Sequence, residues 1–392
     1  MLISVSIFVY GVRLYIMDME FVIPCLLGLE SLIAGEVKEL GAENVRAENG
    51  RVLFSGNENI LARVNICSHF SERVQILVGT FEAHTFEELF QGVKSLEWER
   101  WIGERDAFPV KGYSLNSDLF SVRDCQAISK KAVVERLKSV YGTEWFDESG
   151  PVHQIQFSVM KNVVTMVIDT SGAGLHKRGY RLDANGAPIK ETLAAALCSL
   201  SRLRPYHKLY DPMCGSGTIL IEGALLAANY PPGINRSFSA ERWSSIPKSV
   251  WKEERDRARD MIVPTDDFAA FGYDIDEEAI NIAKINAERA GVSDKISFTV
   301  RDIKDFSPET DRGTLICNPP YGERLLDLKQ CEELYKQMGR VFTQQRGWSY
   351  TVISPDEEFE KAFGRKADKR RKLYNGMIKC QVYMYFKQGD AL

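Results

Sequence analysis

The sequence predicts an α/β protein: a mostly parallel sheet with helices on its faces, preceded by two smaller α+β units. Two observations predict the sheet. A glycine-rich turn at residues 211–218 joins a short strand at 208–210 to an apolar helix, and Asn318-Pro319-Pro320-Tyr321 follows the apolar strand at 313–317. Because ligands of open α/β sheets bind beyond the carboxyl ends of the strands, we expect both segments at one binding edge.

The first residues do not resemble a secretion signal. Residues 1–17 are largely apolar, contain Arg13 and lack a basic start, and they are too short to span a bilayer. We expect an upstream extension of a true start near Met17 or Met19. The alternative is an element at the edge of a sheet.

Residues 18–80 predict a ferredoxin-like α+β unit, because short apolar strands alternate with amphipathic helices. The predicted strands are 21–24, 51–54 and 73–78, and the predicted helices are 27–40 and 59–66.

Residues 81–170 predict a second α+β unit. Its predicted elements are a helix at 86–95, a strand at 108–111, a helix at 125–141 and a hairpin of 155–160 with 163–168. Lys130 and Lys131 give the second helix a basic face, which can follow a nucleic-acid backbone or be merely solvated.

A linker is predicted at 171–190, and it carries the basic residues Lys177, Arg178 and Arg181. This strip is placed to guide a substrate, or to act as a hinge with solvated charges.

Residues 191–392 contain the predicted parallel sheet. Gly215 and Gly217 allow the backbone to approach a ligand at a helix N-terminus. A strand at 268–273 ends at Asp274, which can accept hydrogen bonds from both hydroxyls of a ribose, and a strand at 296–300 leads to Asp302, placed to meet an adenine amino group. Leu220 stands where a dinucleotide-binding turn has its third glycine, which disfavours a nicotinamide enzyme.

The tetrapeptide Asn318-Pro319-Pro320-Tyr321 has the chemistry of a clamp for a planar amino group. The Asn318 side-chain oxygen and the Pro319 carbonyl can accept the amino hydrogens and release the nitrogen lone pair. Tyr321 offers a face on which a base can stack, worth about 1–3 kcal/mol. The pattern therefore predicts methyl transfer to nitrogen beside a nucleotide-like cofactor.

Two further segments bear on substrate contact. Residues 228–264 predict a helical insertion over the sheet edge. Six of the eight residues at 365–372 are basic, Lys369, Arg370 and Arg371 among them, and a terminal hairpin is predicted to turn at Asn375-Gly376. The basic run is a candidate for RNA contact or an exposed loop.

Composition is ordinary for a globular protein: 44% hydrophobic and 27% charged residues, with a formal net charge of -4. None of the eight cysteines forms a C-x-x-C pair, and the five histidines are scattered. We therefore expect reduced thiols, no metal and a cytoplasmic location.

Residues from about 166 onward resemble the class I S-adenosylmethionine-dependent methyltransferases that modify amino groups. The longer motif Asn318-Pro319-Pro320-Tyr321-Gly322-Glu323-Arg324, with residues 174–181 and 187–193, is similar to bacterial ribosomal-RNA guanine-N2 methyltransferases and their transfer-RNA relatives. The resemblance implies a Rossmann-like seven-stranded sheet with an antiparallel end strand in residues 191–392. It also implies an RNA-binding THUMP unit at 81–170.

The resemblance assigns roles to individual residues. The methionine part of the cofactor would lie against Asp211, Pro212, Met213, Cys214, Gly215, Ser216, Gly217 and Thr218. The rest of the cofactor would lie against Asp274, Ile275, Asp302, Ile303, Asn318, Pro188 and Thr192. RNA contacts are expected from Lys130, Lys131, Lys177, Arg178, Arg181, Arg324, Lys369, Arg370 and Arg371.

The implied reaction is methylation of guanine N2 in 23S ribosomal RNA. Adenine-N6 methylation of a nucleic acid, guanine-N2 methylation of transfer RNA, methylation of a protein glutamine and a non-catalytic ribosome-assembly role remain alternatives. Oligomeric state is not predicted.

Overall fold

The alternating strands and helices of the sequence fold into two units in a computed structural model, which describes residues 6–9, 12–15, 19–181, 189–321, 328–342, 347–376 and 378–387. Unit 1 comprises the described residues of Met1–Cys25, Ile33–Leu175 and Gly233–Arg257. Unit 2 comprises those of Leu26–Leu32, His176–Pro232 and Ala258–Leu392.

The amino-terminal half contains nine strands and four helices within the described residues. The strands are β1 (Ser6–Val9), β2 (Val12–Tyr15), β3 (Met19–Pro24), β4 (Glu43–Glu48), β5 (Arg51–Gly56), β6 (Gln75–Glu82), β7 (Val110–Leu115), β8 (Gln154–Met160) and β9 (Val163–Asp169). The helices are α1 (Glu30–Glu39), α2 (Glu58–Cys67), α3 (Phe86–Lys94) and α4 (Val122–Tyr141).

The carboxyl-terminal half contains seven strands and six helices within the described residues. The strands are β10 (Lys208–Asp211), β11 (Ala269–Asp274), β12 (Ile296–Val300), β13 (Gly313–Cys317), β14 (Trp348–Ser354), β15 (Lys369–Asn375) and β16 (Ile378–Tyr385). The helices are α5 (Glu191–Leu200), α6 (Thr218–Ala227), α7 (Lys248–Asp260), α8 (Glu277–Arg289), α9 (Leu328–Phe342) and α10 (Phe359–Phe363).

Unit 1 is built on one seven-stranded sheet of order β4-β5-β3-β6-β9-β8-β7. Strand β6 pairs antiparallel with β3 on one side and with β9 on the other. Because β6 crosses residue 80, the α+β units predicted for 18–80 and 81–170 share this sheet. Strands β1 and β2 pair with each other and with no other described strand, so the described residues of the predicted extension, 6–9 and 12–15, lie outside both large sheets.

The insertion between α6 and β11 differs from the prediction. Residues 233–257 fold with unit 1 and not with the unit that contains the second sheet. Trp243 stacks on His153, with ring centroids 4.2 Å apart, and its Nε1 donates to the Val152 carbonyl at 3.0 Å. Buried aromatic and charged side chains of the insertion find their partners here, which fixes its position.

One ion pair joins the part of helix α7 at 248–257 to helix α2 within unit 1. Arg63 donates from Nε to Glu254 Oε2 at 2.7 Å and from Nη2 to Oε1 at 2.8 Å, and Asn59 Nδ2 donates to the same Oε1 at 3.0 Å. The Glu254 side chain is 4% exposed. The bidentate geometry and the added Asn59 hydrogen bond offset the cost of burying the two charges.

Unit 2 has the sheet order β12-β11-β10-β13-β14-β16-β15. The first five strands are parallel, and β16 runs antiparallel to β14 and to β15. This confirms the predicted seven-stranded sheet with an antiparallel strand near its end. In the terminal hairpin Asn375 pairs with Ile378, so Gly376, with a φ of +62°, occupies the turn.

The arm formed by residues 233–257 generates a stability prediction. Glu254→Ala leaves the mostly buried Arg63 guanidinium without its carboxylate, so we expect a loss on the order of 3 kcal/mol. The measurement is the midpoint of urea unfolding, followed by tryptophan fluorescence. Glu253→Ala, at the exposed neighbouring position, is the control and should unfold like the unaltered protein. Equal midpoints for the two variants would contradict the role given to the pair.

Candidate active site

The candidate site lies between β10 and β13, where the strand order of the sheet in unit 2 reverses. Strand β10 pairs in parallel with β11 on one side and with β13 on the other. A crevice opens beyond the carboxyl ends of strands at such a switch point, where ligands of α/β sheets bind. Asp211 ends β10 and Asn318 follows β13 directly, so the turn and the tetrapeptide meet at this edge as predicted.

The turn at 211–218 presents backbone to the crevice. Gly215 and Gly217 have φ values of +51° and +79°, which favour glycine. Helix α6 starts after Gly217 without a side-chain cap, so its first N–H groups are available to a ligand. A Cβ at Gly215 would meet nothing within 4 Å, so the space beside this glycine is open.

Neighbouring elements fix the shape of the turn. Cys214 N donates to the Tyr273 carbonyl and Gly215 N to Asp274 Oδ2, both at 2.9 Å. Asn286 Nδ2, on α8, donates to the Ser216 carbonyl at 3.0 Å. Burial raises the pKa of the Cys214 thiol well above its usual range, so it is a packing group and not a nucleophile at neutral pH.

Asp211 is a buried carboxylate, only 1% exposed. Its Oδ1 accepts from Met213 N at 3.2 Å, and the Cys317 thiol also donates to it. Burial raises the pKa of Asp211 to about 8, against the Met213 hydrogen bond, which lowers it. No described residue forms an ion pair with Asp211. Without a ligand Asp211 is therefore mostly protonated at neutral pH, and a cationic group on a ligand would favour its ionised form.

Asp274 ends β11, and Asp302 follows the end of the neighbouring strand β12 by two residues. The Asp274 carboxylate accepts from Gly215 N and from Asp276 N at 3.1 Å, and its remaining lone pairs are available to hydroxyl groups. Asp302 caps a short 3-10 helix, with Lys304 N at 2.9 Å from Oδ1. That backbone hydrogen bond, helped by the Lys304 ammonium, lowers the pKa of Asp302.

The apolar residues that follow these two aspartates differ in exposure. Ile275 is 71% exposed at the end of β11, as suits a residue that packs on a ligand. Ile303 is buried in the core of unit 2, so its side chain serves packing.

Asn318 carries the least satisfied polar atom of the tetrapeptide. Its Oδ1 is buried and has no hydrogen-bond partner among the residues that the structure describes. An orphaned buried acceptor costs about 1–3 kcal/mol, so such an atom is ordinarily kept for a ligand. Pro319 is buried and Pro320 half-buried beside it.

The hydroxyl of Tyr321 is anchored. Asn375 Nδ2 donates to Tyr321 Oη at 2.7 Å, which ties the end of the tetrapeptide to the β15–β16 hairpin. Burial raises the pKa of Tyr321 to about 12, so it stays neutral. Sequence reasoning did not identify Cys317 or Asn375 as site residues. The adjacency of Cys317 to Asn318 was the one available indication.

Several predicted residues lie elsewhere than expected. Thr192 is buried in the first turn of α5. The Arg178 side chain is 4% exposed beside Glu222, and Arg181 is 18% exposed beside Glu191. The basic strip predicted for the linker is thus partly an interior charge cluster, because its arginines pair with buried carboxylates, and of the three only Lys177 is exposed. Pro188 and Arg324 lie outside the described residues.

Several of the other basic residues predicted to contact RNA interact with neighbouring residues of the protein. Lys130 Nζ lies 2.6 Å from Glu148 Oε1 and 3.4 Å from the centroid of the Phe108 ring, while Lys131 lies 5.7 Å from the Phe90 ring. Arg370 pairs with Glu360, and Lys369 is exposed. Arg371 donates to the Gly28 carbonyl and to Ser31 Oγ, both at 2.7 Å.

Comparisons with known proteins identify the family. The family described as "RMKL-like, methyltransferase domain" matches residues 178–384. The "RlmL ferredoxin-like domain" matches 20–75 and the "THUMP domain" matches 83–169. The chain belongs to the RMKL-like methyltransferase family. This confirms the resemblance inferred from the sequence.

Relatives of this methyltransferase align over most of its length. It is 43% identical over 364 residues to the "Putative RNA methyltransferase YpsC" of Bacillus subtilis (strain 168), covering 92% of this chain and 94% of that protein. It is 34% identical over 373 residues to "Ribosomal RNA large subunit methyltransferase K/L" of Shewanella frigidimarina, covering 93% of this chain but only 52% of that protein.

Two solved structures have the same fold as this methyltransferase. A "predicted N6-adenine-specific DNA methylase" from Listeria monocytogenes superposes with a TM-score of 0.88 at 44% identity, covering 95% and 97% of the two chains. "SMU.472, a putative methyltransferase complexed with SAH" superposes with a TM-score of 0.90 at 39% identity, covering 95% and 99%.

The protein is an enzyme of the class I methyltransferase fold, and the cofactor of this class is S-adenosylmethionine. The crevice suits that cofactor: it offers open space beside Gly215, an uncapped helix N-terminus and a buried carboxylate without a cation. In the described part of the chain, no three His, Cys, Asp or Glu side chains cluster to hold a metal, and no helix is long and apolar enough to cross a membrane.

The burial of Asp211 predicts a pH-dependent effect on stability. Since the raised pKa favours the protonated form in the folded state, ionisation costs stability increasingly as pH rises from about 4 towards 8. Asp211→Asn removes that cost. Without cofactor we expect its melting temperature to exceed that of the unaltered protein by more at pH 8 than at pH 5, in scanning calorimetry at both values. A difference that shrinks between pH 5 and pH 8 would contradict this reasoning.

Proposed function

We propose that the protein methylates the exocyclic amino group of a base in RNA with S-adenosylmethionine as methyl donor, and that the base is guanine, at N2, in the large-subunit ribosomal RNA. The observation that carries the proposal is the orphaned acceptor Asn318 Oδ1 beside the cofactor crevice. An acceptor that is buried and unpaired suits a donor with N–H groups, as an exocyclic amino group is.

The side chains near the crevice perform positioning and electrostatic work. The cofactor supplies an electrophilic methyl group on a sulfonium centre. Asn318 Oδ1 accepts one amino hydrogen and turns the nitrogen lone pair away from the base ring. As the nitrogen–carbon bond forms, the sulfur–carbon bond would break and release S-adenosylhomocysteine, and one amino proton would then pass to solvent. No side chain has to act as a base before methyl transfer, so catalysis rests on orientation.

RNA as substrate is supported by several observations. A THUMP domain precedes the methyltransferase domain, and the relatives named above are described as RNA methyltransferases. The ribosomal assignment follows the K/L relatives, of which this chain spans about half the length. Exposed Lys177 and Lys369 are proposed phosphate contacts, with Lys130, Lys131, Arg324, Arg370 and Arg371 as further candidates. The activity would take place in the cytoplasm.

Nucleoside mass spectrometry tests the proposal. Purified protein and S-adenosylmethionine are incubated separately with ribosomal RNA, transfer RNA and DNA from cells that lack the gene. The expected product is N2-methylguanosine in large-subunit RNA. N6-methyladenine in DNA would support the rival function named for the Listeria structure and overturn ours. A failure to bind S-adenosylmethionine in calorimetry would favour a non-catalytic assembly role.

Asn318→Ala tests the clamp. Loss of the acceptor should reduce methylation at least a hundredfold, on the order of one oxyanion-hole donor in other enzymes, while cofactor affinity stays within a fewfold. Methylation is measured by transfer of a labelled methyl group, and affinity by calorimetry. Asn281→Ala, on the exposed face of α8, serves as the control and should retain full activity. Full activity in Asn318→Ala would reject the clamp.

Tyr321 tests the stacking role. Tyr321→Phe keeps the ring and loses the hydrogen bonds of its hydroxyl with Asn375 and Cys380, so we expect activity within about fivefold of the unaltered enzyme. Tyr321→Ala removes the stacking face, worth about 1–3 kcal/mol, and should raise the KM for RNA roughly tenfold or more. Equal KM values for the two variants would exclude stacking.

A further inference from the structure

A compact set of buried charges lies next to the turn at 211–218, which is called the cofactor turn below. It comprises Arg178 and Arg181, before the start of α5, together with Glu191 on α5 and Glu222 on α6. The four side chains are 4%, 18%, 4% and 0% exposed. Two positive and two negative charges balance there, as burial requires. The proposed methyl transfer uses none of these four side chains, so their presence next to the turn calls for another explanation.

Arg181 reaches both the turn and the start of α5. Its Nη2 donates to the Ile189 carbonyl at 2.7 Å and to Thr218 Oγ1 at 3.0 Å. Its Nε lies 3.4 Å from Glu191 Oε1. The planar guanidinium therefore joins the two ends of the segment between 181 and 189 to each other and to the cofactor turn.

Thr218 is the position through which this contact reaches the cofactor crevice. It is the first residue of α6 and the last residue of the turn, and its hydroxyl lies 3.2 Å from Ser216 Oγ. Gly217 provides no side-chain cap for this end of the helix. The hydrogen bond from Arg181 restrains the first turn of α6 from outside.

One helical turn later, Glu222 repeats the same attachment. Tyr180 Oη donates to Glu222 Oε1 at 2.9 Å, and Arg178 Nη2 lies 3.7 Å from Oε2. Thr218 and Glu222 are four residues apart and so lie on one face of α6. Residues 178–181 thus hold two successive turns of the helix whose N-terminus faces the crevice.

We propose that Arg181 is a positioning residue for cofactor binding: through Thr218 it holds the turn at 211–218 in the geometry that receives S-adenosylmethionine. This inference rests on the proposed function only in that the turn binds the cofactor. It replaces the RNA contact expected for Arg181 from the sequence. Lysine cannot substitute fully, because an ammonium group lacks the planar fork that reaches Ile189, Thr218 and Glu191 together.

Binding of S-adenosylhomocysteine, measured by calorimetry, tests the proposal without any RNA. Arg181→Lys keeps a positive charge beside Glu191 and should fold, as circular dichroism can verify. We expect its dissociation constant to rise on the order of tenfold, as loss of a charged hydrogen bond predicts. In methylation assays the KM for S-adenosylmethionine should rise similarly, with kcat within about threefold. Arg340→Lys, at an exposed site on α9, is the control and should bind normally.

A double-mutant cycle decides whether Arg181 acts through Thr218. Thr218→Val removes the hydroxyl and leaves the Arg181–Glu191 pair in place. If the proposal holds, Arg181→Lys adds little to the loss already caused by Thr218→Val. The proposal is overturned if the fold-increases in dissociation constant multiply in the double variant. It is also overturned if Arg181→Lys alone binds S-adenosylhomocysteine normally. If the unaltered protein fails to bind S-adenosylhomocysteine, the proposed function and this inference both fall, whereas the other outcomes concern Arg181 alone.

Discussion

The parallel pairing of β10 with β13 is the constraint on which the site depends. The two strands are separated by about a hundred residues, yet their pairing brings Asp211 and Asn318 to the same edge of the sheet. The Cys317 thiol joins them further by its hydrogen bond to the Asp211 carboxylate. Because β13 is buried, a shift in its register by one residue would turn its side chains to the opposite face of the sheet. The pairing of these strands therefore brings the turn at 211–218 and the Asn318 clamp together.

Burial strengthens the interactions of the site with a ligand, and it also costs the ligand-free protein folding free energy. Asp211 and Asn318 Oδ1 are polar groups without full compensation in the described residues, whereas the charges behind the turn are balanced in pairs. A dry environment strengthens each later interaction with a ligand, since there is little water to screen it. The balanced cluster contacts the turn at 211–218 through the hydrogen bond from Arg181 to Thr218. A ligand would supply hydrogen-bond or charge partners for these remaining polar groups. Its binding would therefore stabilise the folded enzyme.

Much of the fold and of the candidate site could be predicted from local sequence. The elements and contacts that were not predicted were missed for physical reasons. The glycine-rich turn, the acidic residues at strand ends and the tetrapeptide are local signals, and each fell at the carboxyl end of a strand. Strand β4 was missed because it lies at a sheet edge with Glu43, Arg46 and Glu48 exposed, which hides any alternation. The pairing of Arg178 and Arg181 with buried glutamates was missed because no local pattern distinguishes an interior arginine from a solvated one. Contacts such as Asn375 with Tyr321 arise only from tertiary structure.

The arm at 233–257 bears on how modular such enzymes are. The methyltransferase family's own match runs from 178 to 384 without interruption, yet this stretch within it is folded into the unit that carries the THUMP domain. A gene fragment cut at the conventional boundary would encode Trp243 and Glu254 but not His153 or Arg63. Recombination at that boundary would separate side chains that bury one another. The limit of a conserved domain in sequence is not, in this protein, a limit of folding.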